Sequence, residues 1–271
     1  MSKNELNAAI SPVLFLSHGG GPMPLLGDAS HQQLIQFTQK ITTTFAKPAA
    51  ILVISAHWEE AQPTITSGAL PTLIYDYSGF PQEAYAIQYP APGAPALANK
   101  VFNLLKNAGI TAKPDDQRGF DHGVFVPLKL MYPQADIPCV QLSLVNNLQP
   151  QQHIQIGRAL ADLRKQNVLI IGSGFTFHNM RAFFAQSTKE SQAMNASFEQ
   201  WLIDTCSGNQ YTEEEREQRL IHWESAPAAR YCHPREEHLL PLLVCYGAAG
   251  AAAKQVFELE ILGKISSAYI W

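Results

Sequence analysis

Val13-Leu14-Phe15-Leu16-Ser17-His18-Gly19-Gly20-Gly21-Pro22 is the stretch that decides the fold: an unbroken apolar run, then a histidine, then a glycine turn. Apolar residues without alternation mark a strand covered on both faces. Three more such runs follow, at 50–55, 138–144 and 168–171, each rich in Val, Ile and Leu. Between them, residues 31–45 carry Leu34, Ile35, Phe37 and Ile41 at helical spacing. Residues 95–108 and 151–166 read the same way, the latter entered through Asn147 and Pro150. Alternating strands and helices predict an α/β fold, a three-layer α/β/α arrangement with a largely parallel or mixed central sheet. No repeat, linker or composition shift divides the chain, so residues 1–271 read as one domain.

Ligands in such folds sit beyond the carboxyl ends of the strands. The first run is followed by His18, the second by Ala56-His57-Trp58, and the fourth by Gly172-Ser173-Gly174-Phe175-Thr176-Phe177-His178-Asn179. Three strand ends therefore bring a histidine to one edge of the sheet. Phe120-Asp121-His122-Gly123 opens an apolar run at 124–130 broken by Pro127, and Cys232-His233-Pro234-Arg235-Glu236-Glu237-His238 precedes another apolar stretch. A neutral imidazole offers a metal a lone pair near pH 7, so this set points to a metal site. His31, His153 and His222 stand in polar contexts and read as solvated surface residues. Gly19–Gly21, Gly172 and Gly174 would let backbone approach a bound group.

Composition narrows the function classes. Charged residues make up 15% of the chain, against about 25% in an ordinary domain. The formal net charge is −4, without a basic patch, which speaks against a nucleic-acid reader. The apolar stretch 239–253 is broken by Pro241, Gly247 and Gly250, and falls short of the ~20 residues that span a bilayer. The first ten residues, MSKNELNAAI, lack the pattern of a secretory signal. Four dispersed cysteines without a CxxC suit free thiols in a reducing compartment, so a cytoplasmic protein is expected.

His18-Gly19-Gly20-Gly21 resembles the oxyanion motif of esterases, but none of the 17 glycines has a serine two positions on, so no G-x-S-x-G elbow exists. Position 177 is Phe where a dinucleotide fingerprint needs a third glycine, and neither a P-loop nor an H-E-x-x-H helix is present.

The order S-H-G-G-G-P, S-A-H-W, D-H-G-V-F-V-P, G-S-G-F-T-F-H-N, H-P-R-E-E-H-L-L-P-L resembles the class III extradiol ring-cleavage dioxygenases, most nearly the DOPA 4,5-dioxygenase type. The motifs are individually short, but run in family order from residue 17 to about 250. The resemblance implies non-haem Fe(II) held by His18 and His57, with a third ligand from the segment before the last helix. There the matching position is His238, where better-known branches carry glutamate; Glu237, Glu236 and His233 stay open as alternatives. An all-histidine set would also suit Zn(II). His178 matches the family acid/base and His122 a histidine beside the substrate. The implied substrates are O2 and a small aromatic diol such as DOPA. Trp58, Phe177 and His233 are candidate substrate contacts, and Tyr75, Phe125 and Phe175 further aromatic candidates. Two other readings fit the residues: a zinc-dependent hydrolase using metal-bound water, and a non-catalytic member that binds a partner.

Overall fold

The structure, a computed structural model, describes residues 10–271; residues 1–9, most of the segment read for a leader, lie outside these. The four apolar runs form strands β1 (Val13–Ser17), β2 (Ala50–Glu60), β5 (Cys139–Val145) and β6 (Val168–Gly174). They pair in parallel in the order β5-β2-β6-β1, and their sheet-core positions are almost wholly buried. Short strands β3 (Thr64–Thr66) and β4 (Lys113–Asp115) extend one side, and the hairpin β7 (Gln255–Ile261) and β8 (Lys264–Ile270) the other. The sheet order is β4-β3-β5-β2-β6-β1-β8-β7. Antiparallel pairing of β3 with β5, and of β8 with β1 and β7, makes the sheet mixed.

The helices are α1 (Gln32–Ile41), α2 (Pro95–Asn107), α3 (His122–Met131), α4 (Pro150–Leu160), α5 (Met180–Phe184), α6 (Lys189–Ser207), α7 (Glu213–Ile221), α8 (Ala229–Cys232) and α9 (Leu240–Ala249). Two adjacent residues of β6 show that helices cover both faces. A Cβ on Gly172 would lie 2.6 Å from the Pro241 carbonyl oxygen in α9, whereas the Ser173 hydroxyl donates to the Gly123 carbonyl in α3. Successive strand residues face opposite sides, so α9 and α3 lie on opposite faces of the sheet. The same crowding corrects the expectation for two glycines. Gly172 and Gly174 make room for α9 and for the His238 carbonyl two residues ahead of it, rather than for a ligand.

Two further local features depart from the sequence reading. The run 124–130 is not broken at Pro127 but lies inside α3. β2 continues past residue 55 through an irregularity: between Ile54↔Leu142 and Glu59↔Leu144 it advances five residues while β5 advances two. His57 sits in this bulge, a device that re-aims side chains next to sites.

Candidate metal centre

The carboxyl edge of the sheet gathers five histidines. His18 follows β1, His57 stands in the bulge of β2, His122 opens α3, His178 follows β6, and His238 precedes α9. Their rings form one cluster: His18 lies within 4.7 to 5.2 Å, centroid to centroid, of His57, His122 and His238, and His178 stacks on His238 at 3.4 Å.

Four of the five rings are oriented from behind. His18 Nδ1 is 3.1 Å from the Ser173 hydroxyl, which spends its own proton on the Gly123 carbonyl. That carbonyl is available because Pro127, four residues later, has no N–H to complete the helical bond. Ser173 must therefore accept, so His18 carries its proton on Nδ1 and leaves the Nε2 lone pair free. His238 Nδ1 donates to Glu237 Oε1 at 2.9 Å, and His178 Nδ1 meets the same oxygen at 3.0 Å. The backbone N–H and Nδ1 of His122 both reach Asp76 Oδ1, at 3.0 and 2.8 Å. Carboxylate partners of this kind fix the tautomer and orientation of metal-binding imidazoles.

Electrostatics favour the neutral form of three of the rings. Burial, then repulsion from neighbouring histidines, holds His18 and His57 well below the usual imidazole range, and burial brings His238 down to about 4. Burial alone would raise the Glu237 acid, but the N–H groups of His178 and His238 outweigh it and hold it far below the usual carboxylate range.

The donor set fits a metal. Nε2 of His18 and Nε2 of His57 face one another 2.9 Å apart, with the lone pair of His18 directed at the His57 ring. That separation matches two nitrogens bonded to one ion at about 2.0–2.1 Å and roughly a right angle. Among the described residues, three groups of side chains bring ligand atoms within 4.8 Å of one another: His18, His57 and His238; His57, Asp76 and His122; and His178, Glu237 and His238. In the second and third, a carboxylate is already held by imidazole N–H groups. The first is the one whose nitrogens converge with their outer N–H groups committed elsewhere on His18 and His238.

A cavity of about 370 Å³ opens over these rings, lined by all five histidines, Gly19–Gly21, and a largely apolar wall that includes Tyr77, Phe80 and Phe175. Trp58, Phe177 and His233 do not line it. Trp58 follows His57 along the strand; its indole donates to Glu60 and lies under the Arg118 guanidinium. Phe177 is fully buried against Phe183 and Tyr231. His233 is buried between Phe198 and Trp223, with Nε2 donating to the Thr176 carbonyl. Of the other aromatic candidates, Phe175 lines the cavity, while Tyr75 and Phe125 pack against Tyr77.

His31 and His153 are not surface residues; both are 0% exposed, and only His222 is exposed. His31 Nε2 accepts the Gly20 N–H at 2.9 Å while Nδ1 donates to Asp28. It thereby braces the turn where Gly19 has φ +82° and a Cβ would strike the His31 ring at 2.7 Å. His153 does the same for a backbone end, accepting the Val145 N–H and donating to the Gln149 carbonyl. Both imidazoles replace missing backbone hydrogen bonds, which polar flanking sequence does not reveal. Asp76 and Ser173 also escape a sequence reading, because each is defined by the histidine it touches across the fold.

Residues 12–269 match the family model for the catalytic LigB subunit of aromatic ring-opening dioxygenase. The chain is 40% identical to dioxygenase tasH of Hapsidospora irregularis, over 97% of this chain and 86% of that protein. It is 40% identical to the 4,5-DOPA dioxygenase extradiol of Beta vulgaris (90% and 89% covered) and 35% identical to that of Escherichia coli (88% and 84%). A crystal structure of an uncharacterized Escherichia coli protein, JW3007, superposes with a TM-score of 0.73 at 31% identity, covering 95% of this chain and 99% of that one. Such a family implies a non-haem metal, an aromatic substrate and O2. With its histidines gathered at one sheet edge and its match spanning nearly the whole length, the chain belongs to the LigB family of aromatic ring-opening, extradiol dioxygenases.

Proposed function

We propose that the chain opens the ring of a catechol with Fe(II) held by His18, His57 and His238, His178 serving as acid/base and His122 as a second imidazole at the substrate. The observation that carries this is the facing pair of Nε2 atoms, 2.9 Å apart, on rings kept neutral by burial. When bound, a non-haem metal supplies chelation of the two catechol oxygens and a place for O2. The three nitrogens would leave an Fe(II) ion open positions for substrate and O2, and zinc would fit the same nitrogens.

The remaining work belongs to the side chains. Glu237 holds the Nδ1 proton of His178, which leaves Nε2 of that ring to take a proton from a catechol hydroxyl and return it on ring opening. Asp76 orients His122 in the same manner, so its Nε2 serves as a second donor or acceptor at the substrate. Phe80 and Phe175 supply apolar walls for an aromatic ring and limit water. A cytoplasmic setting is part of this reading, supported by four cysteines that are all buried and unpaired. Among the described residues no helix is long and apolar enough to cross a membrane.

Anaerobic loading with Fe(II), followed by 4-methylcatechol and air, should give uptake of one O2 per catechol and a yellow ring-fission product. No uptake with any catechol, with iron bound at one per chain, would overturn the proposal. His178→Ala should slow turnover by roughly 10²–10⁴-fold with metal content unchanged; near-normal turnover would remove His178 from its role.

A further inference from the structure

The cavity over the five histidines has a largely apolar wall. Apart from the histidines, the side chains facing it include Met23, Phe80, Phe175, Phe183, Phe184 and Leu262, and among the described residues no Lys, Arg, Asp or Glu lines it. Of its few polar side chains, Tyr77 already donates its hydroxyl to the Ala84 carbonyl. The carboxylates behind the rings, Asp76 and Glu237, are engaged by imidazole N–H groups. Arg181 and Arg235 line an adjoining groove, where Arg235 is paired with Glu59. At the mouth, Met180 and Phe184 keep 54% and 85% exposure, so the apolar surface continues outward to solvent.

Leu262 adds an independent observation. It occupies the β7–β8 turn at φ +54°, a left-handed position that favours Gly, Asn or Asp. A leucine held in that conformation presents its side chain to the cavity.

Building on the dioxygenase reading above, we propose that the substrate is a catechol whose ring substituent is apolar and carries no carboxylate, and that Leu262 helps select it. A carboxylate in this cavity loses water and gains no cationic partner, whereas an alkyl chain exchanges water for Phe80, Phe183 and Leu262. DOPA brings such a carboxylate.

The test compares 4-propylcatechol, DOPA and 3-(3,4-dihydroxyphenyl)propionate with the Fe(II)-loaded full chain. Expected is a kcat/KM at least about ten-fold higher for 4-propylcatechol than for either acid, with the ratio narrowed in Leu262→Asn, which suits the turn but removes the apolar surface. The same order should hold for binding to the Zn(II)-loaded protein by anaerobic calorimetry, a readout independent of turnover. Equal or better kcat/KM or affinity for the acids overturns the inference. So does Arg181→Ala if it weakens DOPA selectively, since that places the carboxylate in the adjoining groove. If no catechol is oxidised, the dioxygenase reading fails and the binding order alone decides this one.

Discussion

Pro127 reaches the candidate metal site without touching it. A proline inside a helix usually costs stability, but here its missing N–H leaves the Gly123 carbonyl to the Ser173 hydroxyl, which in turn accepts from His18. A single residue thereby sets which nitrogen of His18 holds the proton. Ser173→Ala removes the acceptor and should weaken metal affinity by 10–100-fold, the usual cost of losing a partner behind a ligand. Competition against a chromophoric chelator measures this. Unchanged affinity would mean that His18 is oriented by packing alone.

Elements hold these residues in place, and two contacts give measurable consequences. His153 joins the end of β5 to α4 as a neutral ring, and burial lowers it to about 4. Because the folded value lies below the unfolded value of about 6.5, the unfolded chain takes up the proton first. The stability tied to this ring is whole above pH 6.5 and is lost as pH falls toward 4. Between pH 7 and 5 the wild type should lose about 1–2 kcal/mol more than His153→Gln in urea unfolding; equal losses would contradict this. Helices α4 and α9 meet backbone to backbone, since a Cβ on Gly247 would lie 2.1 Å from the Ile154 carbonyl oxygen and one on Gly157 2.0 Å from that of Val244. Gly247→Ala should therefore cost about 1–3 kcal/mol by overpacking, read as a lower denaturation midpoint; an unchanged midpoint would show that the helices can separate freely.

How much of this the sequence shows depends on whether a property is local. The four central strands are legible because burial on both faces makes them continuously apolar. Strands β3 and β4, three residues each, are too short to carry a pattern. Pro127 looks like a break because its compensation comes from Ser173, 46 residues away in sequence. Of the five clustered histidines, His18, His57 and His178 are legible because parallel strands share one carboxyl edge, whereas His122 and His238 stand at or just before the start of a helix and are picked out by motif. Trp58 is misplaced by the same rule, since neighbours along an extended chain face opposite ways. His31 and His153 look solvated because their flanks are polar, while their partners are backbone N–H groups that only the folded chain presents.

At the scale of the whole molecule, the mixed sheet brings loops that are distant in sequence to one edge, and the last hairpin places Leu262 against the glycine turn after β1. The cavity is thus closed by both ends of the described chain. The proposed chemistry requires a metal among His18, His57 and His238 rather than in either neighbouring group that includes a carboxylate. Anomalous diffraction at the iron edge, from crystals of the Fe(II)-loaded protein grown without oxygen, locates the ion directly. The predicted result is one peak at bonding distance from nitrogens of all three histidines; a peak bonded instead to Asp76 and His122, or to Glu237 and His178, would contradict it.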